Sequence, residues 1–493
     1  MSSNAFAWVV FGVYIVATTL LALRGMRKTQ DLAGFAIGGG NMGPILVGVT
    51  LAAAVSSTAT FVINPGFVFK DGLAALLHFG VAGYGGVIAG LLVLSKGFRR
   101  IGSKVRALTL PHWVGARYES PGLRTYFALL NLVLAVTFCV LIVKGSALVM
   151  QHTLGLGYGT AVFIIVGFVF TYILLGGTYA HAYTNALQGS IMAVVALLIF
   201  GSGLGLLFDE PGLWSVLAEQ DPNLVKVVNP SSALFSSAWQ IFVCGFVVSF
   251  GLVCQPHILT KSLYLRRDED HTAYLVVAGI IGTSFTLMLV VGLWARARFP
   301  EIPSQDAVIA VYIAKSFTPY VGAFVSVALL AAGMSTMDGL LVSASTIAGN
   351  DIFLGFLGER LMPGASMAER EKAALRASQG IIAFMGVSAF FLALDPPQLV
   401  GLFAQMGVYG VVCASIVPMT AGILLDRPSR SGVKAAAVAG PLVHFTHYGS
   451  VFYGYGQPIN PALTATEGVI ASVAIYVLIS LLKPGQKDSS ASL

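Results

Sequence analysis

An all-α, polytopic membrane protein is the fold class this sequence predicts, on two observations. Hydrophobic residues make up 56% of its 493 residues and charged residues only 10%, far below the roughly one-quarter charged content of a soluble domain. Apolar stretches long enough to cross about 30 Å of hydrocarbon as helices recur from Ala5 to Leu482, and no long polar block between them could fold separately. One transmembrane domain, 1–493, is the expected organisation.

Apolar runs punctuated by Pro, Gly and charge give about thirteen spans, near 5–23, 43–69, 72–95, 123–152, 158–177, 185–207, 236–259, 272–294, 319–347, 377–394, 397–424, 434–451 and 465–482. The first run lacks a basic leading region and a small-residue cleavage site, and is expected to be a retained helix. With the N-terminus outside, twenty-two of the 28 Lys and Arg fall in cytoplasmic segments. Five (Lys70, Lys226, Arg296, Arg298 and Lys315) fall opposite, and Lys144 lies inside a span. That bias sets the N-terminus outside and, for an odd number of spans, the C-terminus in the cytoplasm. Segments 208–235 and 351–378 are the only loops expected to have room for short extra helices.

The net charge of +7 comes from basic residues scattered over many short loops, which argues for orientation in a bilayer and against a nucleic-acid partner. Cys139, Cys244, Cys254 and Cys413 lie in apolar segments without metal-ligand spacing or a disulfide framework.

Three segments carry mechanism. The second span holds Ser56, Ser57, Thr58 and Thr60, then Asn64-Pro65-Gly66. Proline removes a donor and glycine loosens the backbone, so a break there frees carbonyls to bind a cation or solute. A kinked packing helix whose hydroxyls bond their own carbonyls is the alternative. On the ninth span Ala332, Ser335 and Thr336 are spaced i, i+3, i+4, which places a carbonyl and two hydroxyls on one face. Neutral oxygens suit a hard cation that must leave on every cycle; close helix packing through Gly333, Ser335 and Gly339 is the other reading. In the seventh span Gln255-Pro256-His257 interrupts the helix near its cytoplasmic end. Two broken helices five spans apart are the trace expected of an inverted repeat with sites where its halves meet.

At these residues the chain resembles the sodium/solute symporter family, which contains bacterial proline, pantothenate, acetate, sialic acid and sugar symporters. The segments IGGGNMGP, LTLPHWVGARYE, LGGTYAHAYTNALQGSIM, QPHILTKSL and AAGMSTMDGLLVSASTIAGNDIF carry the likeness through their order and spacing. The resemblance implies a core of five-plus-five inverted repeats, 43–207 and 236–424, of the kind found in amino-acid symporters. An extra helix at 5–23 precedes it and further helices at 434–482 follow. It implies a plasma (bacterial inner) membrane location and one sodium site, whose ligands by position are the carbonyls of Ala53, Ser56 and Ala332 and the hydroxyls of Ser335 and Thr336. Sodium is the coupling ion, with no other cofactor, and the partners are sodium, a small organic solute and the lipid bilayer. No enzymatic activity is expected, because no catalytic dyad or metal cluster stands out.

Departures from the family pattern matter as much. Asn185 stands where many members carry the aspartate of a Thr-Asp-X-X-Gln stretch associated with a second sodium site or with coupling, which points to one sodium per solute. Val55 precedes Ser56-Ser57-Thr58-Ala59 where the proline symporters have Asp before Met-Ser-Gly-Trp, and Val248 and Leu252 replace their aromatic pair. A strict proline carrier is not expected. Lys144 lies about 12 Å below the outer end of its span at 1.5 Å per residue. It is a coupling candidate as a fixed charge or as the receiver of a substrate carboxylate; a lysine snorkelling outward is the alternative. Asp338 shares a helix turn with the proposed sodium ligands and could tune them or bond to neighbouring helices.

Near the breaks, Ser57, Thr58, Phe61, Phe250, Cys254 and Gln255 are the expected solute contacts, a pocket of apolar walls and few polar groups. That favours a monocarboxylate, amino acid or pantothenate-like acid over a sugar. A proton-coupled carrier on the same fold is the nearest competitor. A transport-dead sensor is disfavoured because the tail from Lys483 to Leu493 has no room for a signalling domain.

Overall fold

The computed structural model describes residues 3–29, 31–395, 400–455 and 459–482. The tail from Lys483 and the first residues of the 397–424 span lie outside the described residues. In chain order the long helices are α1 (Ser3–Met26), the bent pair α2 (Pro44–Val55) and α3 (Ala59–Asp71), α4 (Leu73–Lys104), α5 (Pro121–Leu154), α6 (Tyr158–Leu174), α7 (Gly176–Gly201), the bent pair α8 (Trp239–Leu252) and α9 (Pro256–Tyr264), α10 (Asp270–Arg298), α11 (Pro319–Leu361), α12 (Met367–Leu394), α13 (Val400–Leu424), α14 (Arg430–Tyr455) and α15 (Pro461–Leu482). Among the described residues nine are long and apolar enough to cross a membrane, eleven when each bent pair is one span. Two of the thirteen expected spans fall short of that measure: α6 is too short, and α14 is not among the helices that meet it.

Helix α11 is the axis of the packing. Every residue from Val325 to Val342 is buried, so over that stretch the helix has no lipid or solvent face and the polar groups it carries must be satisfied by neighbouring helices. Helices α5, α7 and α12 and the α2–α3 pair pack around it. The chain turns from α6 into α7 at Gly177, whose φ of +56° and ψ of −147° suit glycine.

Both bent pairs are real breaks, of 54° and 66°. The first falls at Ser56–Thr58 and not at Asn64-Pro65-Gly66, which lies inside α3. A π-helical turn over Ala59–Ile63 explains the difference: Asn64 N bonds Ala59 O, and Pro65 follows at the first turn of the regular helix, where its missing N–H is not needed. Ser57 Oγ accepts from Ala59 N at 3.1 Å and starts α3. At the second break Gln255 is extended (φ −75°, ψ 144°) and Pro256 opens α9 from the N1/N2 position.

The start of α2 and the end of α9 are stitched together through the main chain. Met42 N donates to Tyr264 O at 2.9 Å and Arg266 N to Met42 O at 3.0 Å, an isolated parallel bridge between Met42 and Leu265. Gly38, Gly39 and Gly40 lead into it with φ of +59°, +61° and +63°, three consecutive left-handed positions that side chains would strain. Arg99 secures the same junction: its Nη1 donates to Ser262 O at 2.7 Å and Leu265 O at 3.0 Å, and its Nε to Asp268 Oδ1 at 2.7 Å.

Short helices also form where the connections were expected to be too short, at Leu32–Ile37, Leu110–Arg117 and Val308–Ser316. Local caps account for two of them, Asp31 Oδ1 accepting from Gly34 N and Thr109 Oγ1 from His112 N. Helix α11 likewise runs past its expected end at 347 through a π-helical stretch, Ile347–Leu357. Polar Asn350 and Asp351 are held in that stretch instead of released to a loop. Arg124 Nε reaches Asp351 Oδ1 at 2.7 Å and Thr109 Oγ1 donates to Asp351 Oδ2 at 2.6 Å. Beside this lock, burial and the Arg124 charge hold His112 down at about 4, so its ring is neutral near pH 7.

Helix α3 packs as tightly against α10. A Cβ on Gly292 of α10 would lie 2.2 Å from Pro65 O, whereas one on Gly85 of α4 meets nothing within 4 Å. Gly292→Ala is expected to lower the thermal unfolding midpoint of the detergent-solubilised protein by an overpacking penalty of about 1–3 kcal/mol, with Gly85→Ala unchanged; equal midpoints would contradict this packing.

Candidate cation and solute site

Around the first break, oxygens outnumber protons. The Ser335 hydroxyl lies 3.0 Å from Ala53 O and 3.0 Å from Ala332 O, yet it has one hydrogen and can donate to one of them at a time. Thr336 Oγ1 faces Ala54 O at 3.3 Å. Asn185 Nδ2 donates to Ser335 O at 3.1 Å and orients the turn from behind. Ala53, Ala332, Ser335 and Thr336 are all fully buried, so water cannot complete the set. A compact group of carbonyl and hydroxyl oxygens short of donors is what a hard monovalent cation satisfies.

Four of the five proposed sodium ligands therefore meet between α2 and α11. The fifth, Ser56, is the residue at which α2 ends (φ −97°, ψ 86°), and it faces the adjoining cavity. That cavity, of about 190 Å³, lies between the two breaks. Its polar lining includes Ser57, Asn64, Tyr84, Gln255, His257 and Gln405; Asn64 Oδ1, Gln255 Oε1 and His257 Nδ1 are buried without hydrogen-bond partners among the described residues. The remaining wall is mostly aliphatic, and no Asp, Glu, Lys or Arg of the described residues lines it.

Of the expected solute contacts, Ser57 and Gln255 line this cavity and four do not. Thr58 is fully buried between two glycines: a Cβ on Gly145 would lie 2.2 Å from its Cγ2, and one on Gly333 2.7 Å from its Oγ1. Phe61 packs edge-on against Phe285 with centroids 5.3 Å apart. Phe250 stacks on Phe246 at 6.4 Å, and Cys254 sits in a packing cluster behind the break. Sequence reasoning did not select His257, although it follows Gln255-Pro256 directly. Tyr84 and Gln405 come from helices whose approach no local pattern announces.

Lys144 does not line the cavity. Its Nζ pairs with Asp306 Oδ2 at 3.3 Å, with both side chains 12% exposed, and this ties α5 to the segment before the helix Val308–Ser316. Asp338 is fully buried, accepting from the Tyr172 hydroxyl and, at 3.0 Å, from Thr184 Oγ1.

Bent helix pairs with cation-type oxygens and a neutral cavity at their breaks define a membrane carrier. The chain belongs to the sodium:solute symporter family, whose model matches residues 35–440. It is similar to the sodium/pantothenate symporter of Haemophilus influenzae, at 25% identity over 92% of each chain. The sodium/proline symporter of Escherichia coli is 24% identical over 88% of this chain and 86% of that one. Among solved structures, a substrate-bound, outward-open Na+-coupled sialic acid symporter shares the fold, with a TM-score of 0.79, 15% identity and 99% of each chain covered. As a member of this family the protein is an integral membrane transporter, not an enzyme; it carries solute with sodium, and sodium is its coupling ion.

Two substitutions test the geometry. Ser335→Ala is expected to raise the sodium concentration for half-maximal uptake about tenfold, about 1.4 kcal/mol, while Thr336→Ser, which keeps the oxygen, changes it little. Lys144→Met leaves Asp306 without this cation and should depress sodium-driven uptake; Lys144→Met with Asp306→Asn should recover it, because an uncompensated buried charge does more harm than a missing pair. Unchanged uptake in the single variant would show the pair to be idle.

Proposed function

We propose that this protein carries one sodium ion together with one small organic solute across a plasma (bacterial inner) membrane by alternating access. The observation that carries the reading is the single Ser335 hydroxyl shared between the Ala53 and Ala332 carbonyls. Sodium bound there, with Ser56 and Thr336 completing its shell, draws α2 to α11. That contact exists only while the two helices lie together, so the ion favours the state in which they do.

A solute at the breaks meets aliphatic walls and neutral amide, hydroxyl and imidazole groups. With no fixed cation in the wall, a carboxylate finds its counter-charge in the sodium behind Ala52, Ser56 and Ala54. This supports a monocarboxylate, an amino acid or a pantothenate-like acid over a sugar, in keeping with relatives that carry pantothenate and proline. The halves of the cycle are the repeats 43–207 and 236–424, with 5–23 and 434–482 outside them, the N-terminus outside and the C-terminus in the cytoplasm.

Initial uptake against sodium concentration should give a Hill slope near one, and a reproducible slope near two overturns the single-ion reading. The solute is to be found by thermal-shift screening in sodium and in potassium; a true ligand at 100 times its Kd adds about 2.7 kcal/mol in sodium alone. Accumulation in sodium-free vesicles under a pH gradient would replace sodium by protons.

A further inference from the structure

A carboxylate beside the sodium ion occupies one end of the solute and does nothing for the other polar groups in the cavity wall. Three atoms there are buried without hydrogen-bond partners among the described residues: Asn64 Oδ1, Gln255 Oε1 and His257 Nδ1. Gln255 and His257 are each only 2% exposed. They come from both breaks, Asn64 from the start of the regular helix in α3, Gln255 and His257 from the extended residue and first turn that open α9. Other polar groups in the same wall are paired. The Tyr84 hydroxyl donates to Gly279 O at 2.6 Å, and Ser57 Oγ accepts from Ala59 N. The idle atoms are therefore a feature of these three side chains and not of a loosely built wall.

Two of the three are carboxamide oxygens, which only accept, and the imidazole nitrogen accepts or donates according to its tautomer. A solute that displaces water from the cavity must give these oxygens donors or leave them bare, at a cost. A carboxylate cannot do so, because it too only accepts, and an alkyl chain has nothing to give. An ammonium group has the hydrogens but also a charge. No Asp or Glu of the described residues lines the cavity to answer it, and burying a charge without a partner is expensive. What remains is a neutral donor, a hydroxyl or an amide N–H.

We propose that the solute is a hydroxy- or amido-carboxylic acid: its carboxylate answers the sodium ion, and neutral O–H or N–H groups elsewhere on the molecule donate to Asn64 Oδ1 and Gln255 Oε1, with His257 Nδ1 as the adjustable third contact. The proposal rests on the sodium-symport reading and narrows its solute, setting aside plain alkanoates and zwitterionic amino acids. It also gives Asn64, Gln255 and His257 the role of specificity residues, since a site built to bond an O–H or N–H rejects the analogue that lacks it far more strongly than an apolar pocket rejects a change of size.

Binding of matched acids to the purified full-length protein tests this. The probes are ω-hydroxyalkanoates from hydroxybutyrate to hydroxyoctanoate, each set against the ω-aminoalkanoate of equal carbon number and the alkanoate in which a methyl replaces the hydroxyl. N-acetyl-β-alanine is paired with its ketone analogue, in which CH2 replaces N–H. In sodium, a hydroxy or amido acid is expected to bind about tenfold or more tighter than its matched partners. Asn64→Leu and Gln255→Leu should each bring that ratio toward one; because both ligands are measured on one preparation, a general loss of stability cancels. A matched alkanoate or aminoalkanoate that binds as tightly as the hydroxy or amido acid overturns the proposal. So does the absence of binding by every probe at millimolar concentration, or a ratio unchanged in both variants. If neither variant folds, the ratio in the parent protein decides alone. The same preference with equal affinity in potassium would remove the sodium reading of the carboxylate while leaving the donor requirement in place, so the two failures are told apart.

Discussion

Lipid offers no hydrogen bonds, so every main-chain group released at the two helix breaks has to be satisfied inside the protein. Much of the architecture follows from that constraint. Ser57 closes the start of α3, a π-helical turn absorbs Pro65, and Gln255 with Pro256 lets α9 begin afresh. What remains is a shared donor: the single Ser335 hydroxyl stands 3.0 Å from both Ala53 O and Ala332 O. The chemistry of the site is therefore a remainder of the folding problem, concentrated where the helices are most deeply buried and water is excluded.

Charge is distributed by the same logic. The cavity wall is neutral, and the charged groups of the core lie behind it, each with a partner: Lys144 with Asp306, Arg124 with Asp351, Lys261 with His181. On the function proposed above, a neutral chamber would let a cation and an anionic solute find their counter-charges in each other, with neither trapped by a fixed group when the chamber opens on the other side.

Membrane class, helix order and the second break were readable because each depends on a local property, hydropathy or the Gln-Pro pair. The i, i+3, i+4 spacing of Ala332, Ser335 and Thr336 was readable for the same reason, since a helix fixes which residues share a face. The position of the first break was not. Asn64-Pro65-Gly66 is the louder signal, yet the π turn before Pro65 moves the bend eight residues earlier, to the hydroxyls at 56–58. Thr58, Phe61, Phe250 and Cys254 are close to the breaks in sequence but turn into packing. Tyr84 and Gln405 reach the cavity through tertiary contacts that no periodicity encodes. Lys261 was hidden in a stretch of loop-like basic character beside Arg266 and Arg267, and only its complete burial sets it apart.

The Met42–Leu265 bridge joins the start of α2 to the end of α9 through peptide groups alone, so no side chain signs for the bond. Sequence drift at either position leaves this pairing in place as long as neither Met42 nor Arg266 becomes proline, whose nitrogen has no hydrogen to give. The seam between α2 and α9 is thus written in a part of the molecule that a comparison of side chains does not read.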